Sequence, residues 1–131
     1  EPDVIIDLAT LTGACMVALG TEVAGVFGNH QPLVDTLIRC GKEAGEKLWQ
    51  LPLVKEYLEE IKSSVADMKN NGGSYGGAIT AALILQEFVG DGAWAHLDIA
   101  GPAFAEKETA SCPKGGTGFG VRTLLRFLAT F

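Results

Sequence analysis

Few side chains in this sequence are of types and spacings that could do chemistry. His96 and Asp98 stand two apart in Trp94-Ala95-His96-Leu97-Asp98-Ile99, so on a strand they share one face. An imidazole and a carboxylate there could bind a metal or pass a proton. Two ligands do not make a centre, however, and a third would have to come from elsewhere. The pair reads first as a satisfied histidine and carboxylate inside a sheet. Asp7 interrupts the apolar run Val4-Ile5-Ile6-Asp7-Leu8-Ala9, and a buried carboxylate needs partners. It could orient a neighbouring loop or bond local backbone. His30 follows an apolar segment and reads as loop surface. The three cysteines, Cys15, Cys40 and Cys112, are odd in number, widely spaced and form no C-x-x-C pair, which suits a reduced intracellular setting better than a disulfide framework. Cys15 and Cys40 lie among apolar neighbours and read as small buried hydrophobes.

The common catalytic signatures are missing: the sequence holds no H-E-x-x-H, no G-x-S-x-G, no G-x-x-x-x-G-K-[ST] and no Cys/His cluster. Gly118-x-Gly120 precedes an apolar-periodic segment, but position 123 is Thr and no strand leads into it. Those glycines read as a cap or bend, not as a dinucleotide fingerprint.

The elements that would position such groups alternate. Val4 to Ala9 is nearly continuously apolar and β-branched, as a strand covered on both faces would be. Thr10-Leu11-Thr12-Gly13 follows as a turn, and Ala14 to Leu19 as one or two helical turns stopped at Gly20. Val23 to Phe27 predicts a second strand, with Gly25 marking a close backbone approach. Leu33, Leu37, Ile38 and Cys40 predict a helix from Pro32 to about Glu46. An apolar connector follows over Trp49 to Leu53. Leu53, Tyr57, Leu58 and Ile61 then predict a second amphipathic helix, with Lys55, Glu56, Glu59, Glu60 and Lys62 on its wet face. Asn70 to Gly77 carries four glycines in eight positions and reads as a loop that moves or lets a ligand reach the backbone. Ala78 to Val89 predicts a buried helix, Trp94 to Ile99 a third strand, and Val121 to Leu128 a closing helix with Arg122 and Arg126 exposed. Together they predict an α/β fold: a mixed, mostly parallel sheet flanked by helices.

A length of 131 residues allows one domain. Hydrophobic residues at 47% and a mean hydropathy of +0.23 supply a core, while no apolar run approaches the 18 or so residues of a membrane span. Ten Lys and Arg against sixteen Asp and Glu give a net charge of −6, which offers no general attraction to nucleic acid or anionic lipid. Beginning at Glu1 and running at once into an apolar stretch, the sequence reads as a piece of something longer.

The string Ile5-Ile6-Asp7-Leu8-Ala9-Thr10-Leu11-Thr12-Gly13-Ala14, with Ala18-Leu19-Gly20 after it, closely resembles the leucyl (cytosol) aminopeptidases, the two-metal M17 metallopeptidases. Trp49-x-Leu51-Pro52-Leu53, Ala66-Asp67-Met68-Lys69-Asn70, Gly77-Ala78-Ile79-Thr80-Ala81-Ala82 and Trp94-Ala95-His96-Leu97-Asp98-Ile99-Ala100-Gly101 follow in the family's order. The resemblance implies that residues 1–131 are the carboxyl-terminal portion of the catalytic domain, truncated on its amino-terminal side. In the family, two divalent ions (zinc or manganese) are held by a Lys and several Asp and Glu residues on segments before the strand that opens this chain. No catalytic residue and no metal ligand is therefore expected here, and the chain alone is expected to be inactive. By the same resemblance the substrate-binding positions are Thr10, Leu11, Gly13, Asn71, Ala100 and Ala103. The Leu11 carbonyl and Gly13 amide match backbone contacts to the peptide, while Thr10, Gly13, Ala100 and Ala103 match the pocket for the first side chain. Asn71 falls at the next subsite. Some relatives carry a bulky apolar residue at the Asn71 position and Met at the Ala103 position, so a roomier pocket is expected. The resemblance also implies a peptide substrate, a cytoplasmic setting and a homohexamer. The alternative reading is a non-catalytic oligomerisation or scaffolding domain.

Overall fold

The computed structural model describes residues 2–131. Its main sheet has four strands, β1 (Val4–Ala9), β2 (Val23–Gly28), β3 (Lys47–Gln50) and β4 (Ala93–Asp98), in the spatial order β1-β4-β2-β3. β1 runs parallel to β4 and β2 parallel to β3, while β2 and β4 are antiparallel. This is the mixed, mostly parallel sheet that the alternating pattern predicts. A two-stranded hairpin, β5 (Phe104–Ala105) and β6 (Gly115–Gly116), lies within the polar stretch after β4.

Helices cover both faces. α2 (Gln31–Ala44) and α4 (Val121–Leu128) lie on one side, where Leu33, Val34, Leu37 and Cys40 meet Ala24, Val26, Ala95, Leu97 and Phe127. α1 (Gly13–Leu19) and α3 (Gly77–Gln86) lie on the other, where Cys15, Ala78 and Ala82 pack with Phe27 and Trp94. Successive strand residues therefore go to opposite cores, which is why β4 is buried along almost its whole length, with His96 and Asp98 as its two polar residues. Gly25 does face a close approach, but by the Cys15 side chain: a Cβ there would sit 2.8 Å from its sulfur.

Three local expectations differ from the structure. The segment read as an apolar connector begins with the edge strand β3, hidden in sequence because it has only four residues and buries only Leu48, leaving Trp49 65% exposed. Lys55–Ile61 is a 3-10 helix, with i→i+3 bonds such as Tyr57 N–H to the Val54 carbonyl at 3.0 Å. Its apolar spacing fits either helix type, and seven residues are too few to separate them. α3 also closes at Gln86, short of Val89.

Glu46, just after α2, is buried at 3% exposure. It fills the start of α4: its carboxylate accepts from Gly120 N–H (3.1 Å), Thr123 N–H (2.9 Å), Thr123 Oγ1–H (2.6 Å) and Arg122 Nε–H (3.4 Å). Gly118 and Gly120 both have positive φ, so these glycines bend and cap the chain. With a carboxylate already on its amides, this helix start repels phosphate, which removes the nucleotide-loop reading. Replacing Glu46 by Ala leaves the Gly120 and Thr123 donors buried without a partner. Chemical denaturation is expected to show a loss of about 2–4 kcal/mol. A loss within 0.5 kcal/mol, the usual range for a surface change, would contradict this role.

Candidate functional site

Because β1 and β4 are parallel and in register from Val4↔Ala93 to Ala9↔Asp98, their carboxyl ends lie side by side. That edge is where open α/β sheets bind ligands. Thr10, Leu11 and Gly13 follow β1, and Ala100 and Ala103 follow β4. Ile99 N–H donates to the Ala9 carbonyl at 2.9 Å, and Ala103 N–H to the Ile99 carbonyl at 3.0 Å. Thr10, Leu11 and Gly13 are exposed, while Ala100 and Ala103 are half-buried. Five of the six sequence-derived positions thus come together at one sheet edge. Asn71 does not join them by any hydrogen bond among the described residues; it is exposed on the glycine loop before α3. That loop ends at Gly77, where a Cβ would lie 3.1 Å from Ala14 Cβ, so its far end does reach the start of α1. A cavity of about 530 Å³ beside this edge is lined by Ala100 with Met16, Thr21, Pro102 and Phe104, and takes in none of the other five.

Thr12 caps α1, its Oγ1 accepting from Cys15 N–H at 3.0 Å. Among the described residues neither the Gly13 amide nor the Leu11 carbonyl has a hydrogen-bond partner. A Cβ at Gly13 would meet nothing within 4 Å, and its φ is not in the left-handed range. Neither backbone conformation nor packing within this chain therefore requires glycine there. At Gly101, by contrast, a Cβ would run into the Gly20 carbonyl oxygen.

Asp98, for which the sequence offers a metal or acid–base role beside that of a satisfied carboxylate, is fully buried. The structure shows what satisfies it: Oδ1 accepts from Leu11 N–H (3.1 Å), Ala100 N–H (3.2 Å) and Thr12 N–H (3.4 Å), and Oδ2 from Thr12 Oγ1–H (2.7 Å). The signal available in sequence was its place at the end of a strand facing a Thr-rich turn. His96 is also fully buried, but Asp98 is not its partner. Its Nδ1 lies 2.6 Å from Asp7 Oδ1, and Trp94 Nε1–H donates to Asp7 Oδ2 at 2.7 Å. Asp7 is thus neither a loop-orienting group nor a partner for local backbone. Its side chain is 36% exposed, and it spans to two aromatic side chains of the neighbouring strand. The His96 ring stacks with Phe27 and Trp94. His30 lies exposed at the start of α2.

Among the described residues no group of three or more His, Cys, Asp and Glu side chains is gathered as a metal would need. Asp98 is saturated by protein donors; His96 Nδ1 is engaged by Asp7, while its buried Nε2 has no hydrogen-bond partner among the described residues. The residues of this chain do not, by themselves, fit a complete metal centre.

In an α/β domain whose parallel strands end side by side, the loops at that edge form the candidate ligand-binding surface. Residues 1–125 match the catalytic-domain model of the cytosol aminopeptidase family. Among similar proteins, a probable cytosol aminopeptidase of Syntrophotalea carbinolica is 58% identical over 128 residues, covering 98% of this chain and 26% of the relative. One from Nitratidesulfovibrio vulgaris is 55% identical over 130 residues, with the same coverages. A tomato leucine aminopeptidase mutant superposes with a TM-score of 0.92 at 46% identity, covering 98% of this chain and 25% of that one. A bottromycin maturation enzyme gives 0.94 at 42% identity, covering 99% and 29%. The chain belongs to the cytosol aminopeptidase family, and it spans about a quarter of the length of the curated relatives it matches.

Burial, with the Asp98 charge adding to it, pushes the Cys15 thiol up to about 11 from 9.0. The folded chain therefore holds this proton more tightly than the unfolded one. Stability from this group is present below pH 9 and is lost as pH rises from there through about 11. In the native protein at pH 8, mass-spectrometric mapping of iodoacetamide labelling is expected to find half-exposed Cys112 modified while Cys15 stays unlabelled. Comparable labelling of Cys15 before unfolding would contradict the burial.

Proposed function

We propose that residues 1–131 serve as the carboxyl-terminal portion of an aminopeptidase catalytic domain, walling the cleft that holds the amino-terminal residue of a peptide. In this reading the Gly13 amide donates to the substrate backbone and the Leu11 carbonyl accepts from it. Thr10, Gly13, Ala100 and Ala103 surround the first side chain, with Asn71 toward the next subsite. Fixing a peptide in this way supports reaction by orientation, since a misplacement near 1 Å can cost about a hundredfold in rate. Zinc or manganese, which the family suggests, is proposed to be held by residues outside this chain, whose own share is binding and positioning. A homohexamer and a cytoplasmic setting are part of the same proposal, the second supported by the name carried by the relatives. No helix among the described residues is long and apolar enough to cross a membrane. A scaffolding role without chemistry is not favoured, given family membership.

The observation that carries the reading is Gly13. Alanine would fit its backbone and its surroundings, and in the first turn of α1 it would be worth about 0.5 kcal/mol over glycine. A ligand pressed against the amide explains a glycine there. Gly13→Ala in the intact aminopeptidase is thus expected to leave the melting temperature unchanged or raised while kcat/KM on leucyl anilides falls about tenfold or more. Unchanged kinetics would remove Gly13 from the site. The isolated 131-residue chain, supplied with manganese, is expected to show no turnover above blank, and clear turnover would contradict the division of labour.

A further inference from the structure

We infer that Asp98 and Thr12 are positioning residues that set the register of the two pocket walls, an inference that rests on the function proposed above. Each wall follows a different strand, and the two lie more than 80 residues apart in sequence. One bond from Ile99 N–H to the Ala9 carbonyl joins the strand ends themselves. Beyond that point, the Asp98 carboxylate carries the connection, with Leu11 and Thr12 N–H on one side and Ala100 N–H on the other all meeting at Oδ1.

Thr12 extends the arrangement. Its hydroxyl donates to Asp98 Oδ2 at 2.7 Å and accepts from Cys15 N–H at 3.0 Å. The carboxylate is thereby coupled to the first turn of α1, where the Gly13 amide lies. Leu11, whose carbonyl has no partner among the described residues, and Gly13, whose amide has none, flank the residue that holds the carboxylate most closely.

A fully buried carboxylate with no cation bonded to it is a costly way to hold a loop. Apolar contacts would serve if only stability were at stake. What the carboxylate adds is direction: three N–H groups and one hydroxyl must point at two oxygen atoms, which fixes the peptide planes of Leu11, Thr12 and Ala100 together. The planes on either side of Thr12 carry the Leu11 carbonyl and the Gly13 amide. Turning them re-aims both contacts to the substrate and moves Thr10 relative to Ala100.

The test is steady-state kinetics of the intact aminopeptidase with leucyl and alanyl anilides, for Asp98→Asn, Thr12→Val and Thr12→Ser beside the wild type. An amide at position 98 brings donors where an acceptor is needed, and valine removes the hydroxyl. Both are expected to lower kcat/KM for the leucyl substrate about tenfold, with a raised KM and a leucyl-to-alanyl selectivity ratio changed at least about threefold. Thr12→Ser keeps both bonds and is expected to restore the ratio. A role confined to stability would scale kcat equally for both substrates and leave KM and selectivity untouched; that result overturns the inference, as does wild-type behaviour in either variant. Thr12→Val decides the matter should Asp98→Asn not accumulate as folded protein. A wild-type enzyme that cleaves neither anilide would instead overturn the function on which the inference rests.

Discussion

A carboxylate can stay buried without a cation beside it only where backbone amides and hydroxyls converge on it. The Asp98 side chain meets that condition at the carboxyl edge of the sheet, and the rest of the candidate site is arranged around it. The requirement is directional as well as energetic. It draws the turn after β1 and the turn after β4 to the same two oxygen atoms, so loops far apart in sequence become one surface. Glu46 applies a related device on the other face, with the Arg122 guanidinium added to the amides and hydroxyl, where it closes the start of α4 against the end of α2. These two carboxylates hold the connections that the apolar cores leave open.

The cores fix the layers. Trp94, His96 and Asp98 face the α1 and α3 side, whereas Ala95 and Leu97 face α2 and α4. On the first of these faces Asp7, His96 and Trp94 form a polar seam across β1 and β4, with ring stacking on Phe27. Trp94 and His96 lie on the same face of β4 as Asp98, which has its own separate set of partners.

The layered fold was readable because its strands are long apolar runs and α2 keeps a strong 3.6-residue pattern through Leu33, Leu37 and Cys40. β3 was not, since an edge strand that buries only Leu48 carries almost no periodic signal. The 3-10 segment escaped because seven residues spaced by three and four suit two helix types. At the site, the words around Thr10-Gly13 and Ala100-Gly101 pointed to a single sheet edge through family resemblance. The clustering of those residues then follows from the parallel pairing of β1 with β4. Asp98 could not be assigned from its position alone, because its partners Leu11, Thr12 and Ala100 offer mainly backbone N–H groups, which no side-chain pattern reports. Asp7 was misplaced for a related reason: an edge strand leaves a carboxylate in an apolar run partly in water.

The central claim is a division of labour, in which this chain orients the peptide while residues elsewhere supply the metal chemistry. Its most direct test is a crystal structure of the intact, metal-loaded aminopeptidase with a leucine phosphonate bound. The account predicts hydrogen bonds from the ligand to the Gly13 amide and the Leu11 carbonyl, with every metal ligand outside residues 1–131. A ligand seated away from this sheet edge, or metals coordinated by side chains of this chain, would contradict it.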